Sequence, residues 1–166
     1  ALVTGGAQRI GRSIAIDLAA NGFAVAIHCN GSRAEADELA AELIDQGGRA
    51  AVVQADLTDR SALRGIVAEV HRHLGPVRLL VNNASIFEDD AATDFEWDVW
   101  DRHFAVHVEA PAFLTRTFAE QLLRGETGLV VNLIDQRVWA LTPRFFSYTL
   151  SKSALWTATQ TLAQAL

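Results

Sequence analysis

Residues 3–15, "VTGGAQRIGRSIA", place Gly5, Gly6 and Gly11 between a short apolar run and a segment that continues with helical periodicity as "IGRSIAIDLAA". A strand, a glycine-rich turn and a helix in that order leave unpaired backbone N–H groups at a helix N-terminus, where a ligand's phosphates can sit. Glycines alone would serve equally as a tight turn; the strand before them and the helix after them favour the ligand-binding reading. The same alternation recurs outward from this unit. Apolar, β-branched runs fall at 1–4, 23–29, 50–56, 77–83 and 128–135, separated by Ala- and Leu-rich segments. Within 33–46, Ala36, Leu39, Ala40, Leu43 and Ile44 recur at three and four, which gives one apolar face, with Glu35, Glu38, Glu42 and Asp45 elsewhere. Near-continuous apolar strands joined by helices predict the α/β class, a doubly wound parallel sheet with helices on both faces. Gly47-Gly48 and Gly75-Pro76 read as helix stops before strands, so residues 1–166 are expected to form a single domain.

Composition narrows the function classes. The 166 residues are 50% hydrophobic, which suits a globular chain with a real core. A formal charge of −6 opposes nucleic-acid binding, which would rest on clustered Lys and Arg. The apolar runs fall far short of the ~20 residues of a membrane span, and no signal segment opens the chain. Cys29 stands alone, so no internal disulfide forms, and scattered histidines make a structural metal improbable; a cytoplasmic location is expected. The chain has no Met, opens on "ALVTGG", and stops within the helical "ALWTATQTLAQAL" without a Gly cap. Its natural start and its C-terminal part are therefore expected to be missing.

The turn resembles the TGxxxGxG turn of the short-chain dehydrogenase/reductase family, with Arg9 in place of the middle Gly. Arg brings a fixed charge and a planar fork of donors suited to an extra phosphate. An NAD-preferring site usually ends its second strand with an acid for the ribose 2′-hydroxyl, whereas this one ends "IHCNGSR". His28, Asn30, Ser32 and Arg33, together with Arg9, are expected to surround the 2′-phosphate of NADP(H). Alternatively, Arg33 simply starts a solvated helix. "QADLTD" and "LLVNNAS" follow at the ends of the third and fourth strands. By resemblance Asp56 lies by the adenine, and Asn82, Asn83 and Ala84 border the cofactor and brace the central strands. The plainer reading makes Asp56 a helix N-cap and the Asn pair a turn. Ser85 replaces the Gly of the family's NNAG motif. The resemblance thus implies cofactor contacts from Gly5, Arg9, Ile10, Gly11, Asp56, Leu57, Asn83, Ala84, Ser85, Tyr148 and Lys152.

Tyr148 and Lys152 lie at i and i+4 of the last helical segment and share a face. A nearby ammonium and the positive nicotinamide of the oxidised cofactor both favour tyrosinate, so the Tyr148 pKa is expected to fall from ~10 toward the working range. YxxxK spacing alone is weak, but it follows the glycine turn and the NNA strand end in the family's order. The resemblance implies a Rossmann-type fold and NADPH-dependent hydride transfer, with Tyr148 as proton donor and Lys152 on the nicotinamide ribose. The family's catalytic Ser falls at Asp135. An ionised carboxylate cannot donate to a carbonyl oxygen and repels a developing alkoxide. It suits a substrate presenting N–H donors, or a ring nitrogen protonated as hydride reaches the adjacent carbon. Asp135, Arg9 and "NNASIF" together resemble the pteridine reductase branch. There, Phe87 stacks on the pterin and Ser85 touches cofactor and substrate, with Asp135 and Tyr148 completing the substrate site. Phe87 as a loop anchor is the alternative.

His107 occupies the place of the family's helix Asn, which holds a water in the proton relay. It is expected either to hold that water itself, titrating near ~6.5 and adding a charge below that pH, or to pack within its helix. Trp97, Trp100 and Phe104 read as core or subunit contacts. His71 and His73 suit a helix C-terminus, and Glu88, Asp89, Asp90 and Asp94 suit a solvated loop. The chain is thus expected to be an NADPH-dependent reductase of a small molecule, a pterin or dihydrofolate-like ring, and by resemblance a homotetramer. The competing readings are a ketone, sugar or acyl reductase, and a non-catalytic NADP-binding sensor or scaffold.

Overall fold

The computed structural model describes residues 1–166 throughout. Five parallel strands lie in the order β3-β2-β1-β4-β5: β1 (Leu2–Val3), β2 (Val25–Cys29), β3 (Ala50–Gln54), β4 (Leu79–Asn82) and β5 (Leu129–Asn132). In β1, Leu2 stands opposite Ala26 and Leu80, and Val3 opposite Ile27 and Val81. Alternate residues point to opposite faces, so the sheet splits its apolar side chains between two cores. Leu2, Ala26 and Leu80 join one cluster with Leu63, Ile66 and Val70 of α3 (Arg60–Leu74) and Leu114 and Phe118 of α5 (Ala110–Glu120). Val3, Ile27 and Val81 join the other with Ala15 of α1 (Arg9–Ala20) and Leu39 and Leu43 of α2 (Arg33–Asp45).

The remaining elements carry the chemistry. Between β4 and α5 run α4 (Trp97–Phe104) and a π-helical turn, Ala105–Glu109; after β5 come a 3₁₀ turn, Gln136–Val138, and α6 (Phe146–Ala165). The strand order reverses between β1 and β4. In open α/β sheets the crevice beyond the strand ends at that point is where ligands bind.

Several expectations need correction. Each strand is shorter than its apolar run. Ile44 is 51% exposed at the rim of α2, outside the apolar face, and Leu129 and Val131 of the edge strand β5 are 60% and 38% exposed. α3 is capped by Asp59, which accepts from the Ser61 N–H at 2.7 Å; Asp56 instead accepts from the N–H and hydroxyl of Thr58 in the preceding turn. Trp97 is 66% exposed and sits outside the core, in an aromatic group with Phe95 and Trp100. His71 and His73 do lie in the last turn of α3. No helix is long and apolar enough to cross a membrane.

Candidate active site

The turn after β1 and the loop after β4 are bound to one another. Thr4 Oγ1 accepts from the N–H groups of Asn83 and Ala84, both at 3.0 Å, and Asn83 Nδ2 donates to the carbonyls of Thr4 and Gly5. The closeness explains two glycines. A Cβ on Gly11 would lie 2.1 Å from the Gly5 oxygen, and Gly5 has φ +60 with Ala84 Cα 3.0 Å from its would-be Cβ. Above this floor opens a cavity of about 370 Å³ lined by Gly5, Arg9, Ile10, Gly11, Asn30, Ser32, Asn83, Ala84 and Ser85, with Ala7, Gln8, Cys29 and Gly31. The backbone N–H groups of the first turn of α1, which have no partner within the helix, open toward it. Arg9 has φ +50, a left-handed backbone that disfavours any side chain by about 1 kcal/mol, at the position where the family pattern has Gly. No carboxylate lines this cavity.

Four expected cofactor residues are not among those that line this cavity. His28 is 1% exposed; its Nδ1 accepts from the Gly5 N–H at 3.2 Å, so Nε2–H donates to the Ala55 carbonyl at 3.1 Å. Burial lowers its pKa to about 4, and it braces the glycine turn from beneath as a neutral ring. Arg33 begins α2 paired with Asp37 on its own helix. Leu57 is buried in the core with Val53 and Leu63. Asp56 is exposed and taken up by its turn. Periodicity and motif spacing could not separate a residue under the turn from one lining it.

Asp135, Tyr148 and Lys152 do come together. The Tyr148 hydroxyl donates to Asp135 Oδ2 at 3.0 Å, and Lys152 Nζ donates to the Leu133 carbonyl at 3.0 Å, 5.9 Å from the tyrosine ring. Burial pushes the Asp135 pKa up, but the N–H of Arg137 at 2.8 Å, the Tyr148 hydroxyl and the Arg137 charge outweigh it and hold the group below the usual carboxylate range. It is therefore ionised at neutral pH. The expected fall of the Tyr148 pKa is reversed: burial, then the hydrogen bond to Asp135 and its charge, raise it above the ordinary value. Lys152 is brought down to about 8 by burial, against the opposing pull of Asp135. Its ammonium is turned to the Leu133 carbonyl, and the charge that the phenol meets is the Asp135 carboxylate.

Phe87 closes the site. It meets Tyr148 edge-on at 4.8 Å and stacks on Phe145 at 4.2 Å with an interplanar angle of 11°. Phe145, the residue before α6, is left-handed with φ 60 and ψ 47, a conformation unfavourable for a bulky side chain. Its N–H donates to the Asp90 carbonyl at 2.8 Å. Asp90 is not part of a solvated loop: it is 6% exposed, and its carboxylate accepts from the N–H and hydroxyl of Ser147. Glu88 and Asp89 do sit at the surface side of the loop, paired with Arg102 and Arg144.

Two histidines fasten this loop. Ser147 gives its proton to Asp90 and Ser151 gives its proton to the Tyr148 carbonyl at 2.8 Å, so each serine oxygen must accept from a histidine Nδ1–H. His103 donates to Ser147 at 2.7 Å and His107 to Ser151 at 2.8 Å. The free Nε2 atoms then accept from Glu88 N–H at 3.3 Å and from Ile86 N–H at 3.2 Å, and the Ser85 hydroxyl lies 3.0 Å from His107 Nε2. Both rings are neutral and edge-on to Tyr148. Burial lowers the His107 pKa to about 2, helped by the Lys152 charge, so it adds no charge near pH 6.5. His103, Ser147, Ser151, Asp90, Arg137 and Phe145 were not found by motif reading. The i, i+4 spacing of His103/His107 and of Ser147/Ser151 was the available signal.

Over residues 1–166 the sequence matches the family model described as short chain dehydrogenase. A short-chain type dehydrogenase/reductase of Picea abies is 32% identical over 100% of this chain and 64% of its own length. A 3-oxoacyl-[acyl-carrier-protein] reductase of Staphylococcus aureus is 29% identical over 100% of this chain and 68% of its own. The crystal structure of FolM alternative dihydrofolate reductase 1 from Brucella suis, in complex with NADP, superposes with a TM-score of 0.96 at 56% identity, over 99% of this chain and 68% of that one. The chain thus spans about two thirds of the length of these relatives.

Proposed function

Because the chain belongs to the short chain dehydrogenase family, we propose that it is the cofactor-binding and catalytic part of an NADP(H)-dependent reductase acting on a pterin or dihydrofolate-like ring. The two-glycine floor, the helix start and the acid-free lining fit a dinucleotide with a 2′-phosphate, for which Arg9, Asn30 and Ser32 are the available donors. When bound, NADPH supplies the hydride. The relatives solved with NADP support the same cofactor.

One observation carries the substrate reading: the carboxylate of Asp135, held ionised, takes the Tyr148 hydrogen bond at the position of the family's serine. Two anionic oxygens, a carboxylate and a forming alkoxide, oppose each other at such close range. A ring imine nitrogen avoids the conflict: being more basic than a carbonyl oxygen, it takes the Tyr148 proton before or as the hydride reaches the adjacent carbon, so no anion forms beside Asp135. Asp135 keeps Tyr148 protonated as the proton donor, and Lys152, whose ammonium faces the Leu133 carbonyl, is left to hold the nicotinamide ribose as the family pattern implies. Phe87, half exposed beside Tyr148, offers a ring a flat surface to lie on. Similarity to a FolM dihydrofolate reductase supports this reading. Similarity to a 3-oxoacyl reductase supports a second one, carbonyl reduction with Asp135 protonated. Following NADPH oxidation with 7,8-dihydrobiopterin, dihydrofolate and a panel of ketones separates the two. Turnover confined to ketones would sink the first. The family reading also carries a cytoplasmic tetramer assembled through 97–124 and 148–166, whose surfaces expose Trp97 and Leu150.

A further inference from the structure

Arg137 follows Asp135 by two residues, in the 3₁₀ turn after β5. Its side chain is 22% exposed, and its Nε is buried without a hydrogen-bond partner. Nη1 reaches Asp135 Oδ1 only at 3.5 Å, while the main-chain N–H of the same residue holds that oxygen at 2.8 Å. The guanidinium carbon lies 5.1 Å from the centre of the Phe87 ring and 4.7 Å from that of Phe145, within cation–π range of both. A guanidinium has five N–H donors and no acceptor. One long ion pair leaves most of them unused beside the Tyr148 hydroxyl, and an unpaired buried donor is unfavourable. The carboxylate of Asp135 is an acceptor only. Side by side, the two groups complement a ring edge that carries a carbonyl next to an N–H, which a simple ketone lacks.

We propose that Arg137 is a specificity-determining residue that donates hydrogen bonds to a ring carbonyl oxygen of the heterocycle lying on Phe87. The proposal rests on the heterocycle reading given above. Its test compares the wild type with Arg137→Met and Arg137→Lys in steady-state NADPH oxidation with 7,8-dihydrobiopterin. The same proteins are titrated with two pteridines, one 2-amino-4-oxo and one 2,4-diamino, which differ in the acceptor that Arg137 would meet. Arg137→Met should raise KM for the dihydropterin and Kd for the 4-oxo ligand about 10- to 100-fold, with little change in kcat. Affinities for NADPH and for the 2,4-diamino ligand should persist, and Arg137→Lys should recover part of the loss. Equal weakening of both pteridines would mean a packing role and would overturn the proposal, as would affinities unchanged by Arg137→Met. Wild-type protein that oxidises NADPH with ketones but with no dihydropterin removes the heterocycle reading and this proposal together. Wild-type turnover of dihydropterin without discrimination by Arg137 removes this proposal alone.

Discussion

Asp135 and Tyr148 share one hydrogen bond, and each sets the other's charge. The bond helps hold the aspartate ionised and the tyrosine protonated, which is the state the proposed mechanism needs of a proton donor. Removing that proton with Tyr148→Phe should lower kcat about 10²- to 10⁴-fold while NADPH binding, measured by fluorescence titration, persists. Undiminished turnover would assign the proton to another group. The identity of this set was legible in the sequence, because Tyr148, Lys152 and the acid in the serine's place stand at fixed spacings along the chain. The direction of the Tyr148 pKa was not. It depends on which neighbour the phenol faces, and Lys152 turns to the Leu133 carbonyl instead.

The loop after β4 is held against α6 by side chains one helical turn apart on two elements. His103 and His107 project from α4 and the π-helical turn, Ser147 and Ser151 from α6, and each histidine returns its second nitrogen to a loop N–H. In His107→Ala the Ile86 N–H loses its acceptor and the Ser151 oxygen loses the donor it has in the imidazole, while the Ser151 hydroxyl keeps the Tyr148 carbonyl. We expect a loss of about 2–4 kcal/mol in urea denaturation, with a raised KM for the ring substrate. A variant as stable as the wild type would contradict the clamp. At the other end of the site, Arg9 holds a left-handed backbone at the start of α1. Arg9→Gly should relieve about 1 kcal/mol of strain yet weaken NADPH about 10- to 100-fold relative to NADH. An unaltered preference would remove Arg9 from the 2′-phosphate. Arg9 was legible as a departure from a glycine pattern. The clamp was not, since its partners lie 44 residues apart and meet only through packing.

In the folded chain the buried histidines make stability depend on pH. Burial lowers His28 to about 4 and His107 to about 2, from an unfolded value of 6.5, and lowers His103 as well. Above pH 6.5 all three are neutral in both states, and their contribution is complete. As pH falls below that value the unfolded chain takes up protons that the folded one refuses, at up to about 1.4 kcal/mol per pH unit each for His28 and His107, with His103 acting in the same direction. By pH 4 the loss amounts to several kcal/mol, comparable with the whole stability of a domain. Tm should fall steeply between pH 6.5 and 4, and less steeply in His107→Asn; a flat Tm would show that these rings are not held neutral. The alternation of strands and helices and the order of the motifs were enough to foresee the parallel sheet. Alternation could not show that the buried face of β2 would place a histidine beneath the glycine turn. His28 lies beneath the glycine turn, and His103 and His107 lie beside Tyr148, whose hydroxyl meets Asp135. The decisive measurement is kcat/KM for 7,8-dihydrobiopterin divided by that for a ketone, with NADPH, in the wild type and in Asp135→Ser. The ratio should favour the dihydropterin in the wild type and fall sharply or invert in the variant; an identical ratio in the two proteins would contradict the assignment of Asp135 as the residue that selects a nitrogen heterocycle.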